Sequence, residues 1–305
     1  MGRLIQNNIT VNSTDGQSFR TIQFLGEGGN CQVYLAMATK GTLKGVLFAI
    51  KFFLKSNDEG RLLQFNKEKS LLIEVTHPAI MKIYCEGKYY STILKDYVPF
   101  VVADYFPDRL DQRLSNNRLG LMEKLIYITQ LLSALQHLDG RNPKIVHRDI
   151  KPENIFLKGY SCVLGDFGLM RDLDPKALDE DGNFMKQSDG PGMPKYYRTP
   201  DLVSYAKKEK SLTTKSDIFQ LGLVAAKMFT GRNPLKRCND KLDKVELEEI
   251  GNVPGISGEL IKDIIRKMLV MNPEDRGDLE ELLDSFDGVL KETANKHLDI
   301  DGFVL

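Results

Sequence analysis

The chain has 305 residues, of which 42% are hydrophobic and 28% charged, and its 42 basic side chains balance its 42 acidic ones. This length and apolar fraction suit one large domain or two lobes sharing a core, and they exclude a chain that is mainly disordered. The balanced charge excludes a general attraction to nucleic acid or to anionic membranes. No apolar run approaches the ~18 residues of a membrane span, so we expect no direct membrane insertion. The four cysteines form no C-x-x-C pair, which favours free thiols in a cytoplasmic protein.

The N-terminal third of the chain predicts strands with one helix, because β-branched and aromatic residues alternate there with glycine-containing turns. The helix is predicted over Asp58–Thr76, where apolar residues recur on one face. The predicted strands are Phe19–Leu25, Val33–Thr39, Val46–Leu54, Ile80–Tyr84 and Phe100–Tyr105.

After Pro107 the pattern changes to helices. Leucines and an isoleucine recur at helical spacing from Leu121 to Leu138, and further helices are predicted near Lys215–Phe229, Glu259–Val270 and Asp278–Leu290. The stretch Asp166–Asp201 is rich in Asp, Gly and Pro and predicts a long loop of the functional kind. The predicted fold class is α+β, with a small β-rich lobe carrying one helix (residues 19–105), a short hinge and a larger, mostly helical lobe (residues 108–290), flanked by an N-terminal extension (1–18) and a C-terminal tail (291–305).

A glycine-rich segment, Leu25–Val33 (LGEGGNCQV), lies between two predicted strands. Glycines let a backbone close over a phosphate chain and present N–H groups to it. By itself this pattern is more typical of a glycine-rich hairpin turn.

Lys51 interrupts an otherwise apolar strand. Burying a lysine there is costly unless a carboxylate pairs with it, although a solvated lysine at a sheet edge is the simpler alternative. The predicted helix offers Glu68 and Glu74. Glu68 is preferred because it lies mid-helix, whereas Glu74 lies close to the helix end.

Polar and charged residues crowd the segment His147–Asn154 (HRDIKPEN), which follows an apolar helix. Farther along comes Asp166–Gly168 (DFG), which taken alone is a common turn tripeptide. An amide and two acids near one pocket would suit Mg²⁺, since this ion prefers hard oxygen ligands and keeps several waters.

Taken in order, the glycine loop, the lysine of Ala-Ile-Lys, the helix glutamate, HRDIKPEN and DFG resemble the eukaryotic-type (Hanks-type) protein kinases of the serine/threonine branch. The resemblance continues downstream in Thr199–Asp201, Ser216–Gly222 and Asn272–Arg276, and covers residues from about Phe19 to Leu290. Lys151, two residues after Asp149, is typical of the serine/threonine branch.

The resemblance implies roles for individual residues. Asp149 would accept the proton of the substrate hydroxyl, Lys151 would neutralise charge on the γ-phosphate, and Lys51, held by Glu68, would bind the α- and β-phosphates. Asn154 and Asp166 would hold Mg²⁺, with Mn²⁺ as an alternative ion. The residues implied to bind ATP are Leu25, Gly26, Glu27, Gly28, Gly29, Val33, Ala49, Lys51, Ala103, Asp104, Phe106 and Phe156.

Some positions depart from the family pattern. Cys31 stands where the third glycine of the loop is expected, and Ala103 stands where a larger residue usually closes the back of the adenine pocket. Met193 or Pro194 occupies the place of a hydroxyl residue that contacts the catalytic site, which weakens the prediction of serine/threonine preference. Ser188 is predicted to be phosphorylated, or Asp189 to substitute partly for that phosphate; solvation of a loop by its acids is the simpler alternative.

The predicted function is therefore transfer of the γ-phosphate of ATP to Ser/Thr hydroxyls of proteins, including this chain itself. The alternatives are a pseudokinase acting as a nucleotide-binding scaffold or allosteric partner, and a kinase for small molecules. Nucleic acid is not an expected partner, since no basic patch interleaves with aromatics. No motif identifies the protein substrate or an oligomeric state.

Overall fold

A computed structural model describes residues 4–28, 31–116, 119–167, 171–172, 196–236 and 244–301. The chain divides into two compact units, Met1–Pro107 and Asp108–Leu305. The first is built around one β-sheet with a single long helix, and the second is mostly helical. The predicted fold class is therefore confirmed.

The first unit contains a six-stranded sheet in the order β1-β2-β3-β4-β6-β5, with every neighbouring pair antiparallel. Its helix α1 lies between β4 and β5 in the sequence. The elements are β1 (Thr10–Asn12), β2 (Ser18–Gly28), β3 (Cys31–Ala38), β4 (Leu47–Phe53), α1 (Glu59–Glu74), β5 (Ile83–Ser91) and β6 (Asp96–Asp104).

One face of this sheet is a closely packed aromatic core. Side chains alternate along β4, where Phe48, Ile50 and Phe52 are buried while Ala49 and Lys51 are half-buried on the other face. Buried aromatic rings meet edge to face across the strands; the ring centroids of Tyr34 and Phe52 lie 5.8 Å apart. The opposite face is therefore the one left for polar chemistry.

The N-terminal residues are part of this sheet, which the sequence did not predict. Strand β1 pairs with β2, and the residues after it bridge to β5, where the amide of Thr14 donates to the carbonyl of Glu86 at 2.8 Å. Ile5 is only 1% exposed. At the crossing a Cβ on Gly87 would lie 2.8 Å from the carbonyl oxygen of Asn12, so glycine is what allows the two strands to approach.

The second unit is a helical assembly with short two- and three-stranded sheets. Its elements are β7 (Asp108–Arg109), α2 (Leu110–Ser115), α3 (Leu121–Asp139), β8 (Ile145–Val146), β9 (Ile155–Lys158), β10 (Ser161–Leu164), β11 (Arg171–Asp172), α4 (Pro200–Ala206), α5 (Lys215–Thr230), α6 (Gly258–Met268) and α7 (Leu279–Asp301). Short 3₁₀ turns lie at Pro152–Asn154 and Pro273–Asp275.

Helix α5 is the centre of the second unit, because nearly all of its side chains are buried. It packs closely on α6: a Cβ on Gly222 would lie 2.9 Å from the Cβ of Met268. The helix ends at Gly231, whose φ of 80° is the left-handed cap conformation that glycine adopts without strain.

Several predicted boundaries differ from those observed. Strand β5 begins at Ile83 rather than Ile80, and β6 begins at Asp96 rather than Phe100. The two strands pair along nearly their whole length as one hairpin, which extends both of them beyond the predicted segments. Helix α7 continues to Asp301, past the predicted end. The predicted loop Asp166–Asp201 contains β11 and the first turn of α4, and its central part lies outside the described residues.

Candidate active site

The glycine-rich segment forms the turn end of the β2–β3 hairpin. Gly26 pairs with Val33 and Gly28 with Cys31, while Leu25 is 40% exposed; Gly29 lies outside the described residues. Glu27 at this end is contacted by the buried Gln32, whose Nε2 donates to Glu27 Oε2 at 3.4 Å.

Lys51 and Glu68 form an ion pair. Nζ of Lys51 lies 2.9 Å from Oε1 of Glu68, and the two side chains are 26% and 10% exposed. Helix α1 can present Glu68 in this position because its first turn is capped by Asp58, whose side chain accepts from the amide of Arg61. Glu74, the other acid considered from the sequence, is the exposed last residue of the helix.

The face of the sheet that carries Lys51 is lined by small residues. Val33 pairs with Lys51 on the neighbouring strand, and Ala49 pairs with Ala103. Two more residues predicted to bind the nucleotide, Asp104 and Phe106, lie at and just after the end of β6. Asp104 ends β6 and accepts from the hydroxyl of Tyr84 at 2.9 Å, and the half-buried Phe106 comes two residues later.

In the second unit, Asp149 is surrounded by donors on one side. Its Oδ2 accepts from Lys151 Nζ at 2.7 Å and from Asn154 Nδ2 at 2.9 Å, and its carbonyl accepts from the same amide at 2.8 Å. Its other oxygen, Oδ1, is buried and has no hydrogen-bond partner. Burial raises the pKa of Asp149, against the lowering effect of Lys151 and Asn154. The result is an oriented carboxylate with one unsatisfied acceptor.

The negative charge of Asp166 contributes to raising the pKa of Asp149. The amide of Gly165 donates to the carbonyl of Asn154 at 2.9 Å, which ties the two segments together. Asp166 is exposed and its φ is 60°, a left-handed conformation that is uncommon for aspartate and clusters at functional sites.

The ring of His147 forms hydrogen bonds with both of these segments. Its Nε2 lies 3.2 Å from the carbonyl of Gly165 and its Nδ1 accepts from the amide of Asp149 at 3.3 Å, so these partners assign the proton to Nε2. Burial lowers the pKa of His147 to about 4, which keeps the ring neutral. Its ring packs edge to face on Phe167, with 4.4 Å between centroids.

Helix α5 binds the backbone of the same loop. Asp217 accepts from the amides of His147 and Arg148 at 2.7 and 2.9 Å. Burial raises the pKa of Asp217 to about 7, against the lowering effect of these two donors. Gln220, one turn later, also bonds this backbone. Sequence reasoning missed Gln220, although a glutamine in an otherwise apolar buried helix was a signal that it has buried polar partners.

The donor set near Asp149 fits a divalent metal. Asp166 provides a carboxylate, and Asn154 uses its Nδ2 for bonds to Asp149, which leaves the amide oxygen for a metal. Both are hard oxygen donors of the type that Mg²⁺ binds while keeping waters and phosphate oxygens. Over the described part of the chain, no cluster of three or more His, Cys, Asp or Glu forms a protein-only metal cage. The remaining predicted nucleotide residue, Phe156, is half-buried on β9 and pairs with Val163.

A buried ion pair joins the start of α4 to the segment that precedes α7. The guanidinium of Arg276 bonds both carboxylate oxygens of Asp201, at 3.3 and 3.1 Å, and the two side chains are 0% and 2% exposed. The short carboxylate of Asp201 therefore reaches the guanidinium with both of its oxygens. The predicted regulatory and substrate-contacting positions Ser188, Asp189, Met193 and Pro194 lie outside the described residues.

Comparison with known proteins identifies the family. The protein kinase domain matches residues 19–286. The Carbon catabolite-derepressing protein kinases of Candida glabrata and Saccharomyces cerevisiae are each 29% identical, over 87% and 91% of this chain and 40% and 41% of their own lengths. Ribosomal protein S6 kinase alpha-6 of Danio rerio is 29% identical over 86% of this chain and 33% of its own length. The chain thus spans less than half the length of these relatives.

The chain belongs to the protein kinase family, and the predicted resemblance to Hanks-type serine/threonine kinases is confirmed. Among the helices that the structure describes, none combines the length and apolar character needed to cross a membrane.

Proposed function

We propose that this chain is an ATP- and Mg²⁺-dependent protein serine/threonine kinase. The observation that carries the proposal is the environment of Asp149. Its Oδ2 is held by Lys151 and Asn154, while Oδ1 is buried and unsatisfied. A buried acceptor without a partner is costly, so a site with this feature is suited to a donor that arrives with the substrate.

A serine or threonine hydroxyl is such a donor. In the proposed step the hydroxyl proton passes to Asp149, the hydroxyl oxygen forms a bond to the γ-phosphorus of ATP, and the bond from that phosphorus to the β,γ-bridging oxygen breaks, releasing ADP. The raised pKa of Asp149 favours its protonated form after the transfer. Lys151, within 2.7 Å of this carboxylate, places a positive charge where the γ-phosphoryl group would react.

Lys51 is proposed to bind the α- and β-phosphates. Its pairing with Glu68 fixes the position of the ammonium group, which a free lysine chain would not do. The glycine-rich turn end of β2 and β3 and the small side chains Ala49 and Ala103 leave room on this face for a phosphate chain and an adenine ring. We expect the alanine at position 103 to admit bulky N6-substituted ATP analogues.

Asn154 and Asp166 would hold Mg²⁺. When bound, the metal supplies positive charge that neutralises the phosphate oxygens. Mn²⁺ satisfies the same oxygen donors and remains an alternative.

The proposal is tested by intact mass measurement of the purified chain before and after incubation with ATP and Mg²⁺. We expect mass gains in units of one phosphate, lost in Asp149→Asn and kept in Asp263→Asn. The control removes an equal charge from an exposed ion pair on α6. Gains that persist in Asp149→Asn would refute the assignment of Asp149.

Absence of any gain, together with no transfer to added β-casein, would favour the pseudokinase alternative. A nucleotide-binding measurement would then separate a scaffold that binds ATP from one that does not. Mapping the modified residues tests whether Ser188 is phosphorylated. Cytoplasmic location also stays a prediction, supported by the buried thiols of Cys85 and Cys162, which form no disulfide.

A further inference from the structure

Gln220 is a fully buried residue whose side-chain amide, among the described residues, forms hydrogen bonds only with backbone groups. It lies on α5 and is 0% exposed. Its Oε1 accepts from the amide of Ile150 at 2.9 Å. Its Nε2 donates to the carbonyl of Arg148 at 3.0 Å and to the carbonyl of Tyr197 at 2.8 Å.

Both N–H donors of the amide are used in these bonds, and its oxygen accepts one bond, so three of its four hydrogen-bonding positions are filled. A buried amide without partners would be expensive, so the arrangement is stable only if all three backbone groups stay in place. Few other side chains could make this set of bonds, since it needs one acceptor and two donors in one plane.

The bonds to Arg148 and Ile150 lie on either side of Asp149. They fix the backbone immediately before and after the proposed catalytic base. Arg148 has a φ of 72°, a left-handed conformation that costs free energy for a residue with a side chain. The hydrogen bonds from Gln220 to Arg148 and Ile150, here called the Gln220 clamp, hold the loop in that conformation. The two backbone N–H groups that donate to Asp217 contribute to the same restraint.

The third bond links the same loop to Tyr197, which precedes α4. One side chain therefore ties the segment carrying Asp149 to the segment that enters α4. A displacement of Tyr197 would therefore strain the same amide that bonds the backbone on both sides of Asp149.

We propose that Gln220 is a positioning residue for phosphoryl transfer, which holds the backbone around Asp149 and couples it to the segment at Tyr197. This inference rests on the proposed function, because it concerns the alignment of the same base. Gln220 is 0% exposed, so its side chain would contact neither ATP nor the reacting hydroxyl. Its loss should therefore lower kcat and leave the KM for ATP unchanged.

The test compares Gln220→Met with Gln130→Met. Methionine keeps the length of glutamine and removes all three bonds. Gln130 on α3 is the matched control, because its amide also bonds two backbone groups, the carbonyl of Tyr160 and the amide of Cys162, each at 2.8 Å, outside the catalytic loop. With ATP, Mg²⁺ and β-casein, we expect Gln220→Met to lose about 10-fold or more in kcat at unchanged KM for ATP, since small misalignments of a reacting group are costly. Gln130→Met should stay within about 2-fold of the wild type.

Gln220→Asn provides a second variant should the methionine variant not fold. It keeps an uncharged amide but is one methylene shorter, so it cannot keep all three bonds and its kcat should fall between those of the wild type and Gln220→Met. Equal kcat values for a folded Gln220 variant and Gln130→Met would overturn the proposal. A parallel loss in both would also overturn it, because the effect would then be general destabilisation.

Hydrogen exchange supplies a readout that does not need activity. The amide of Ile150 should lose protection in Gln220→Met and keep it in Gln130→Met. If the wild type transfers no phosphate, the proposed function fails while this measurement still decides whether the clamp exists. Unchanged protection of Ile150 in Gln220→Met would overturn the clamp itself.

Discussion

The ion pair between Asp201 and Arg276 offers a quantitative test of the second unit's stability. The guanidinium is completely buried and bonds both carboxylate oxygens, and Nε donates to the carbonyl of Val270 at 2.9 Å. It also lies over the ring of Phe219, with 5.0 Å between Cζ and the ring centroid. Asp201→Asn keeps the shape of the side chain and removes its charge.

The expected cost is about 3–5 kcal/mol in free energy of unfolding, because the substitution leaves the arginine buried without a countercharge. An asparagine amide would also direct N–H donors toward a group that only donates. No discount for solvent screening applies, since neither partner is exposed beyond 2%. A loss of this size is a large part of the ~5–15 kcal/mol by which a typical domain is stable.

The assay is urea unfolding followed by helical circular dichroism, which reports mainly on the second unit because most helices lie there. Asp201→Glu keeps the charge and serves as the control, with an expected cost of about 1–3 kcal/mol for one methylene added at a buried site. The double variant Asp201→Asn, Arg276→Met completes a mutant cycle. Ion pairs exposed to solvent contribute below ~1 kcal/mol to the free energy of unfolding. A cost in that range for Asp201→Asn would refute the argument that burial makes this pair strong.

Two further predictions follow from packing and from a shifted pKa. Gly222→Ala should lower the free energy of unfolding by about 1–3 kcal/mol, because its Cβ would lie 2.9 Å from the Cβ of Met268. In the same urea assay Gly288→Ala, where nothing lies within 4 Å, should raise it by about 1 kcal/mol through helix propensity; equal effects would contradict the packing argument. Burial lowers the pKa of His147 from ~6.5 to about 4 in the folded protein. Between these two pH values only the unfolded state binds the proton, so the free energy of unfolding decreases by up to ~1.4 kcal/mol for each unit by which the pH is lowered. Between about pH 6.5 and 5, wild-type stability should thus fall by ~1.5 kcal/mol more than that of His147→Phe. The comparison cancels the opposite contribution of Asp217, whose raised pKa removes stability as pH rises, and parallel pH dependence in the two proteins would contradict the neutral buried histidine.

Local patterns in the sequence were enough to predict the strand-rich and helical parts of the chain. The apolar spacing from Leu121 to Leu138 predicted α3, because a period of 3.6 residues is a property of a single element. The β-branched and aromatic residues on both sides of Lys51 predicted β4. Chemistry that lies within one short segment was also readable. Asp149, Lys151 and Asn154 are neighbours in the chain, and the structure brings their side chains together.

The tertiary structure decided what depends on partners distant in the sequence. The sheet position of β1 rests on pairing with β2 and β5, which its own short, weakly patterned sequence does not encode. That Lys51 pairs with Glu68 and not with Glu74 depends on how α1 packs against β4, which brings Nζ of Lys51 to 2.9 Å from Oε1 of Glu68. Gln220 bonds the loop around Asp149, some 70 residues earlier, and no local rule gives a glutamine in an apolar helix that role. Sequence periodicity reports which face of an element is buried, whereas the partner of a buried polar group is set by which elements meet, and that is a property of the folded chain alone.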